Sequence, residues 1–360
     1  MEEFYRMVGM IRNQIDLETF REMVESQGKQ LIIFGAGDCG HKVYNMLHQV
    51  GIAVSCFCAN RRRADKDMIT GARVVDPESL DNTDENIVVL VSVVEDEDRD
   101  AICSQLRAQG FAGKQILVMR EYYDRLTVEW LESHLEEYKK AYQLLEDDFS
   151  RRVYLARMRK MFLMRSIADV VRPHEESYFD EKVELTDREV FIDCGGFDGD
   201  TSLQFIERCG GKYGRIVIFE PELCKKEAIE RNLGEYSYEL HMCGVWNRNT
   251  ILQFEAKGTD GSHVAEGEGN CQVQVVALDE VVYDYKPTFI KMDIEGAEQE
   301  ALEGCRKIIR EYRPKLAICL YHKPDDLFRI PVMVKEMNPE YRIYVRQYSD
   351  TKYETVMYAL

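Results

Sequence analysis

The stretch "FIDCGGFDGDTS", residues 191–202, is an apolar strand that runs into a glycine loop and then into a helix. Glycines in this loop let a ligand approach the backbone, and the N terminus of the following helix faces it. Asp193, Asp198 and Asp200 surround the loop. Three carboxylates would repel a pyrophosphate, so the loop favours a ligand that carries positive groups.

The next strand, "RIVIFEP", ends at Glu220, 21 residues after Gly199 (220 − 199). An acidic side chain at this strand tip can accept hydrogen bonds from two ribose hydroxyls. S-adenosylmethionine is the common nucleoside cofactor that also carries positive groups, an ammonium and a sulfonium. The alternative is that Glu220 caps the turn that follows it.

A third charged stretch, "FIKMDIEGAEQEALEGC", follows two strands later. Strand alternation predicts that Lys291, Asp293 and Glu295 lie on one side of the chain. Their strand should lie beside the first strand of this unit, where the carboxyl ends of parallel strands form a ligand crevice. The alternative is that Asp293 or Glu295 caps the next helix, since carboxylates stabilise a helix N terminus.

Strands alternate with helical stretches in two series, at about 29–120 and from about 175 onward. This alternation predicts an α/β fold with two doubly wound parallel sheets. The second series ends in "YRIYVRQYS" and "ETVMYAL", which are close in sequence and predict an antiparallel hairpin. We therefore expect N-terminal helices over 1–28, an accessory Rossmann-like domain over 29–120, a helical connector over 121–174 and a second α/β domain over 175–360.

The motifs of the second domain resemble those of the FkbM-type methyltransferases. The resemblance lies in "FIDCGGFDGDTS", "IFEPE", "VVALDEVV", "FIKMDIEGAE" and "LAICLYHKPDDLFRIP", and covers about 175–360. It implies the seven-stranded class I methyltransferase sheet, which ends in an antiparallel strand pair. It also implies S-adenosyl-L-methionine as cofactor and O-methylation of a hydroxyl on a sugar, glycan or polyketide-like acceptor.

The resemblance also implies a set of cofactor-binding residues, with the glycine loop at the methionine end and Glu220 at the ribose. The expected cofactor residues are Asp193, Gly195, Gly196, Asp198, Gly199, Ser202, Glu220, Pro221 and Gly244. Tyr178 and Phe179 are expected to cover the cofactor or to pack in the core. Ser262 lies in a long polar segment that is expected to form a lid over the acceptor.

Methyl transfer to a hydroxyl group mainly requires that the acceptor is oriented, and a base within hydrogen-bond reach assists it. Asp293 is the first candidate for that base, followed by Glu295 and His322, and Lys291 completes the charged set. A divalent metal ion held by Asp293 and Glu295 is an alternative that the sequence leaves open. His322 has the alternative of a hydrogen-bonded histidine at the turn "HKPDD".

The first glycine loop, in "LIIFGAGDCG", has the spacing of a dinucleotide site at Gly35, Gly37 and Gly40. The second strand of that unit ends without an acid and is followed by Arg61 and two more arginines, which suit a 2′-phosphate or another phosphate. In "IIFGAGDCGHKVYNML" and "MITGARVVDPESL" the unit resembles the nucleotide-sugar-binding N-domain of bacterial sugar acetyltransferases, which implies an acceptor-binding or docking module. An NADP-dependent oxidoreductase and a non-catalytic nucleotide-sugar-binding protein are the alternative functions, and an exposed basic turn is the alternative for the arginines.

The composition narrows the class of partner. The formal net charge of −18 disfavours nucleic acid and anionic lipid. The 11 cysteines form no CxxC pair, which favours reduced thiols and a cytoplasmic protein. The first residues do not have the pattern of a signal peptide, and no stretch approaches the roughly 20 apolar residues of a membrane span. We expect a small-molecule or glycan acceptor, either free or as a nucleotide-linked sugar.

Overall fold

The computed structural model divides the chain into two compact units. It describes residues 1–12, 28–49, 51–60, 68–69, 71–93, 96–118, 126–163, 167–255, 263–264, 271–351 and 353–360. The smaller unit comprises Tyr5–Trp130 and Arg159–Ser166, and the larger comprises Met1–Phe4, Leu131–Met158 and Ile167–Leu360. The division into four segments that we expect from the sequence stays a prediction.

The smaller unit contains a six-stranded sheet. Its strands are β1 (Gln30–Phe34), β2 (Cys56–Cys58), β3 (Met68–Ile69), β4 (Ala72–Val75), β5 (Ile87–Val91) and β6 (Ile116–Val118), in the order β3-β4-β2-β1-β5-β6. All neighbouring strands are parallel except β3 and β4. Helix α1 (Glu2–Arg12) begins in the larger unit and ends in the smaller one, and helices α2 (Asp38–Gln49) and α3 (Asp96–Ala108) belong to the smaller unit.

Both faces of this sheet are covered by helices. The apolar side chains of β1 point alternately to one face and to the other, and both sets are buried. Leu31 and Ile33 pack against α2 through Leu47, whereas Ile32 and Phe34 belong to the core that contains α3. A parallel sheet needs such cover on both faces, since its strands are hydrophobic throughout. The sequence pattern predicted this arrangement.

Three helices follow the first sheet: α4 (Val128–Ser133), α5 (Leu135–Leu144) and α6 (Asp148–Leu163). Within the larger unit, the ring of Tyr138 on α5 packs against Phe328, with 4.7 Å between centroids. Asp147, just before α6, forms an ion pair of 2.8 Å with the buried Arg346. The charged run of this connector is thus partly paired within the larger unit.

The larger unit contains a seven-stranded sheet. Its strands are β7 (Val190–Cys194), β8 (Arg215–Phe219), β9 (Glu239–His241), β14 (Phe289–Met292), β15 (Lys315–Cys319), β16 (Ile343–Gln347) and β17 (Thr355–Ala359), in the order β16-β17-β15-β14-β7-β8-β9. Strand β17 is antiparallel to both neighbours, and the other pairs are parallel. The predicted seven-stranded sheet with an antiparallel pair at its end is confirmed.

Helices connect these strands, and a second, smaller sheet lies between β9 and β14 in the chain. The helices are α7 (Asp200–Arg208), α8 (Lys226–Leu233), α9 (Leu278–Val281), α10 (Glu298–Glu303), α11 (Arg306–Tyr312) and α12 (Asp326–Met337). The small sheet consists of β10 (Gly244–Val245), β11 (Thr250–Glu255), β12 (His263–Val264) and β13 (Cys271–Val276). The expected lid residue Ser262 lies outside the described residues.

An aromatic core holds the large sheet to its helices. Phe191 on β7 stacks on Phe205 of α7, with 4.4 Å between ring centroids, and also contacts Phe289 of β14. Phe179 belongs to this core, so it packs rather than covers a ligand. Burial of each such side chain is worth roughly 1.5–3 kcal/mol.

In the part of the chain that the structure describes, no helix is long and apolar enough to cross a membrane.

Candidate active site

A cavity of about 740 Å³ opens at the carboxyl ends of β7, β8 and β14. Its size lies within the range of roughly 300–1,000 Å³ that is usual for small-molecule sites. Strand β7 lies between β14 and β8. The chain adds β8 and β9 on one side of β7 and later adds β14 and β15 on its other side, so the strand order reverses at β7. Such a switch point is where open α/β sheets bind ligands.

The glycine loop after β7 forms one wall of this cavity. Gly195 has a φ of 85°, and a Cβ atom there would lie 1.9 Å from the carbonyl oxygen of Asp293. A Cβ on Gly196 would lie 2.3 Å from the Ile218 side chain. Gly195 lines the cavity, whereas Gly196 and Gly199 serve the close packing of the loop.

A buried ion pair lies behind the loop. Lys291 Nζ is 3.1 Å from Asp193 Oδ1 and donates a hydrogen bond of 2.6 Å to the Gly195 carbonyl oxygen. Ser202 Oγ donates to Asp193 Oδ2 at 2.7 Å. Burial lowers the pKa of Lys291, but Asp193 and Asp293 outweigh burial and raise it above its ordinary value. The pair therefore fixes the loop.

The expected cofactor residues divide accordingly into two groups. Those that line the cavity are Gly195, Glu220, Pro221 and Gly244. Five others do not line the cavity and lie in or behind the loop: Asp193, Gly196, Asp198, Gly199 and Ser202. Among the expected catalytic residues, Lys291, Asp293 and Glu295 line the cavity and His322 lies behind them.

Glu220 lies at the tip of β8 and is only 6% exposed. Its Oε2 accepts a hydrogen bond from the Phe197 N–H at 2.9 Å, and its Oε1 accepts one from the Glu222 N–H at 2.8 Å. Burial raises the pKa of Glu220, and these two N–H donors oppose the shift. A carboxylate has about four acceptor positions, so Glu220 can still accept hydrogen bonds from a ligand in the cavity.

The wall beside Glu220 is apolar and was missed by sequence reasoning. Leu252, Val273 and Val275 of the small sheet line it. Strands β11 and β13, which are separated in the chain by residues 256–270, bring them together by antiparallel pairing. The alternation in "QVQVV" was the signal that could have identified this wall.

Asp293 follows the last residue of β14, so strand alternation ends before Glu295, although Lys291, Asp293 and Glu295 all line the cavity. Glu295 instead has a φ of 54° in the turn. Asp293 Oδ2 accepts a hydrogen bond from Tyr178 at 2.7 Å, and Oδ1 accepts one from Tyr321 at 3.1 Å. The two tyrosines fix the carboxylate at the edge of the cavity.

The electrostatic environment favours the ionised form of Asp293. Burial raises its pKa, but Lys291 and His322 outweigh burial and lower the pKa below its ordinary value. A carboxylate with a lowered pKa is a weak base. Asp293 is therefore better suited to orient a hydroxyl group than to remove its proton.

His322 lies behind Asp293 and contacts three carboxylates. Its Nδ1 is 2.8 Å from Glu298 Oε1, and its Nε2 is 3.4 Å from Asp293 Oδ1 and 3.6 Å from Glu295 Oε2. Burial lowers the pKa of His322, but Glu298 and Asp293 outweigh it and raise the pKa to about 10. Asp293, Glu298 and His322 each place one atom of metal-ligand type within 4.8 Å of the others. The sequence had suggested Glu295 rather than Glu298.

The far end of the cavity is polar. His174, Ser349, Thr351, Tyr353 and Glu354 line it, and they come from the segment before β7 and from the turn between β16 and β17. Sequence reasoning treated that turn as a simple hairpin connection and missed these residues. Their polar character in "QYSDTKYE" was the only available signal.

The glycine loop of the smaller unit differs in what surrounds it. A Cβ on Gly35 would lie 2.0 Å from the Ser92 carbonyl oxygen, and one on Gly40 would lie 1.8 Å from the Gly35 carbonyl oxygen. Gly37 is exposed and has open space around it. Arg61 lies outside the described residues, so the phosphate site expected there stays a prediction.

Comparisons with known proteins agree with the motifs. Residues 193–349 match the model of the methyltransferase FkbM domain. The solved methyltransferase FkbM of Methylobacillus flagellatus KT is similar over 100% of this chain and 98% of its own, with a TM-score of 0.80 and 22% identity. That likeness shows a shared fold. The comparison with curated proteins gave no match.

Two more distant structures are also similar in part. The precorrin-6y C5,15-methyltransferase of Geobacter metallireducens GS-15 covers 54% of this chain and 95% of its own, with a TM-score of 0.33 and 12% identity. Fibrillarin of Aeropyrum pernix, solved with S-adenosyl-L-methionine, covers 49% of this chain and 70% of its own, with a TM-score of 0.32 and 11% identity.

Residues 193–349 thus match the methyltransferase FkbM domain, and the resemblance that the sequence motifs indicated is confirmed. This family supports a methyltransferase function, and so an enzyme.

Proposed function

We propose that the protein transfers a methyl group from S-adenosyl-L-methionine to a hydroxyl oxygen of a sugar, glycan or polyketide-like acceptor. The observation that carries this proposal is one cavity with two fixed carboxylates, Glu220 and Asp293, on either side of the Gly195 loop. One carboxylate suits a ribose and the other suits an acceptor hydroxyl.

The residues around Glu220 and the apolar wall form the first half of the cavity, and they fit the cofactor. Glu220 has acceptor capacity for ribose hydroxyls, and the apolar wall of Val273 and Val275 suits an adenine ring. Gly195 lets the loop backbone line the cavity while it packs against the Asp293 carbonyl oxygen. The acidic lining attracts a sulfonium and an ammonium and disfavours a pyrophosphate. When bound, S-adenosylmethionine supplies an electrophilic methyl group.

The residues of the second half suit a polar acceptor. Asp293 accepts a hydrogen bond from the acceptor hydroxyl and so directs the lone pair of that oxygen toward the methyl group. The hydroxyl proton becomes strongly acidic as the oxygen is methylated, so it passes to Asp293 along this hydrogen bond even though that carboxylate is a weak base. Tyr178 and Tyr321 hold Asp293 in the required orientation. Ser349 and Thr351 offer hydroxyl groups, and the ring of Tyr353, whose residue is 51% exposed, offers a flat surface for a sugar ring.

A labelled-methyl assay tests this proposal. The protein and methyl-labelled S-adenosylmethionine are incubated with free sugars, nucleotide-linked sugars, oligosaccharides and hydroxylated polyketides, beside a sample without protein. We expect label in at least one hydroxylated acceptor, with mass spectrometry placing the methyl group on oxygen. Binding of the cofactor without methylation of any acceptor would favour the non-catalytic alternative, and label on nitrogen or carbon would contradict O-methylation.

A further inference from the structure

We propose that His322, Asp293 and Glu295 bind one divalent transition-metal ion, and that Glu298 orients His322 for this purpose. The proposal shares Asp293 with the proposed function but does not depend on methyl transfer. Metal binding is measured directly, so either proposal can fail while the other stands.

The distances from the His322 nitrogen to the two carboxylates suit one ion. His322 Nε2 lies 3.4 Å from Asp293 Oδ1 and 3.6 Å from Glu295 Oε2. Two ligand atoms that each lie about 2.1 Å from an ion are separated by roughly 3–3.5 Å in tetrahedral or octahedral geometry. Small shifts of the Glu295 side chain, which is 36% exposed at the cavity edge, would complete the set.

The buried nitrogen of His322 is an independent observation that points to a ligand. The His322 side chain is 8% exposed, and its Nε2 makes no hydrogen bond among the described residues although it faces two carboxylates. Burial of a polar atom without a hydrogen bond is costly. An ion between Nε2 and the carboxylates would remove that cost.

Glu298 provides the support that metal-binding histidines usually have. Its Oε1 lies 2.8 Å from His322 Nδ1 and also accepts a hydrogen bond from the Ile294 N–H at 2.9 Å. Glu298 is fully buried, so this arrangement is rigid. A carboxylate that accepts from one ring nitrogen fixes the tautomer and leaves the other nitrogen to bind the metal.

Asp293 is supported in the same way on its other side. The hydroxyl groups of Tyr178 and Tyr321 donate to its two oxygens, and such hydrogen bonds to a ligating carboxylate fix its orientation. One imidazole nitrogen with carboxylate oxygens suits Mn²⁺, Fe²⁺, Co²⁺ or Zn²⁺ better than Ca²⁺ or Mg²⁺, which prefer oxygen ligands alone. Asp293 and Glu295 line the cavity, so a hydroxyl acceptor could reach the ion.

The test is titration of the chelator-treated protein with Mn²⁺, followed by the electron paramagnetic resonance signal of the free ion. We expect one site per chain in the wild type and loss of that site in His322→Gln. Glu298→Gln should retain the site with an affinity about 10–100-fold weaker, as for other residues that orient a ligand. Glu295→Gln, at the exposed edge of the cavity, should also weaken Mn²⁺ binding. This variant replaces His322→Gln in the test if circular dichroism shows that His322→Gln does not fold.

His241→Gln is the matched control, because His241 Nε2 lies 2.7 Å from Glu239 Oε1 in a histidine–glutamate pair at the end of β9. This variant should bind Mn²⁺ as the wild type does. The proposal is overturned if the wild type binds no Mn²⁺, in which case a proton on His322 occupies this place. It is equally overturned if folded Glu295→Gln and Glu298→Gln both bind as the wild type does, or if His241→Gln loses the site.

Discussion

The glycine loops after β1 and after β7 begin with the same backbone contacts in two different sheets. The Gly35 N–H donates to the Cys58 carbonyl oxygen, and the Gly195 N–H donates to the Phe219 carbonyl oxygen, so each loop turns over the strand beside it. A Cβ on either glycine would collide with the residue that follows the strand on the other side, Ser92 or Asp293. The glycines are therefore required by close packing of the backbone, which both loops share.

The side chains at matching positions differ completely. Register places Ile33 opposite Leu90 in the first sheet, and Asp193 opposite Lys291 at the equivalent place in the second. Each of these four residues is at most 2% exposed. A buried ion pair is often no more stabilising than apolar residues of similar volume. Its presence in the second loop therefore points to a functional need.

The strand tips differ in the same manner. Ala59 follows β2 where Glu220 follows β8, and Ser92 follows β5 where Asp293 follows β14. The first unit thus lacks carboxylates at both positions that face its loop. A shared loop geometry teaches little about the ligand, whereas the residues that end the neighbouring strands carry the chemistry.

The largest expected effect comes from breaking the buried ion pair. Lys291→Leu leaves Asp193 as an unpaired buried charge and should lower the free energy of unfolding by about 3–5 kcal/mol. The double variant with Asp193→Ile reproduces the pair found in the first loop and should regain most of that loss. Urea unfolding followed by circular dichroism measures both.

The control for this pair is Lys323→Leu, since Lys323 forms an ion pair with Glu300 and its side chain is 41% exposed. That change should alter stability by no more than about 1 kcal/mol. Equal effects of Lys291→Leu and Lys323→Leu would contradict the role assigned to the buried pair.

Glu220→Ala places an alanine after β8, as Ala59 follows β2 in the smaller unit. We expect this variant to lose cofactor binding. Loss of two hydrogen bonds to a charged group, each worth about 1.5–3 kcal/mol, should weaken binding of S-adenosylmethionine by at least about 100-fold. Isothermal calorimetry measures this affinity, with the exposed Glu227→Ala as control. An unchanged affinity in Glu220→Ala would remove the assignment of Glu220 to the ribose.

Asp293→Asn should separate catalysis from cofactor binding. An amide of the same shape accepts a weaker hydrogen bond from the acceptor, so methyl transfer should slow by roughly 100-fold. Affinity for S-adenosylmethionine should stay close to that of the wild type. Rates come from the labelled-methyl assay, with the exposed Asp284→Asn as control, and an equally active Asp293→Asn would exclude this residue from catalysis.

The smallest effect is expected at the first loop. Without an acid at the tip of β2, NADP(H) should leave the melting temperature unchanged, whereas S-adenosylhomocysteine should raise it, because ligands stabilise the state that binds them. Gly37→Ala should likewise leave stability and cofactor affinity nearly unchanged, since the space around Gly37 is open. A higher melting temperature with NADP(H) would support the oxidoreductase alternative.

Local patterns sufficed for much of the fold. Short apolar runs identified β7 and β8, and the short link between the last two strands indicated their antiparallel pairing. Glu220 was identifiable because loop, spacing and acid lie in one continuous stretch. Tyr321 and Glu354 were not identified, because their relation to Asp293 depends on contacts between distant segments. Glu298 was not identified because its role depends on its contact with His322.

The amino-acid sequence by itself determined the α/β class, the two glycine loops, the resemblance of the second domain to a methyltransferase family and the set of charged residues near its crevice. These features follow from local periodicity and from motifs that are continuous in the chain. Only the tertiary structure decided how those charges are divided. It turned Asp193 and Lys291 toward each other behind the loop and left Glu220 and Asp293 at the cavity. The direction of a side chain depends on strand register and on the end of each strand, which neighbouring strands determine together.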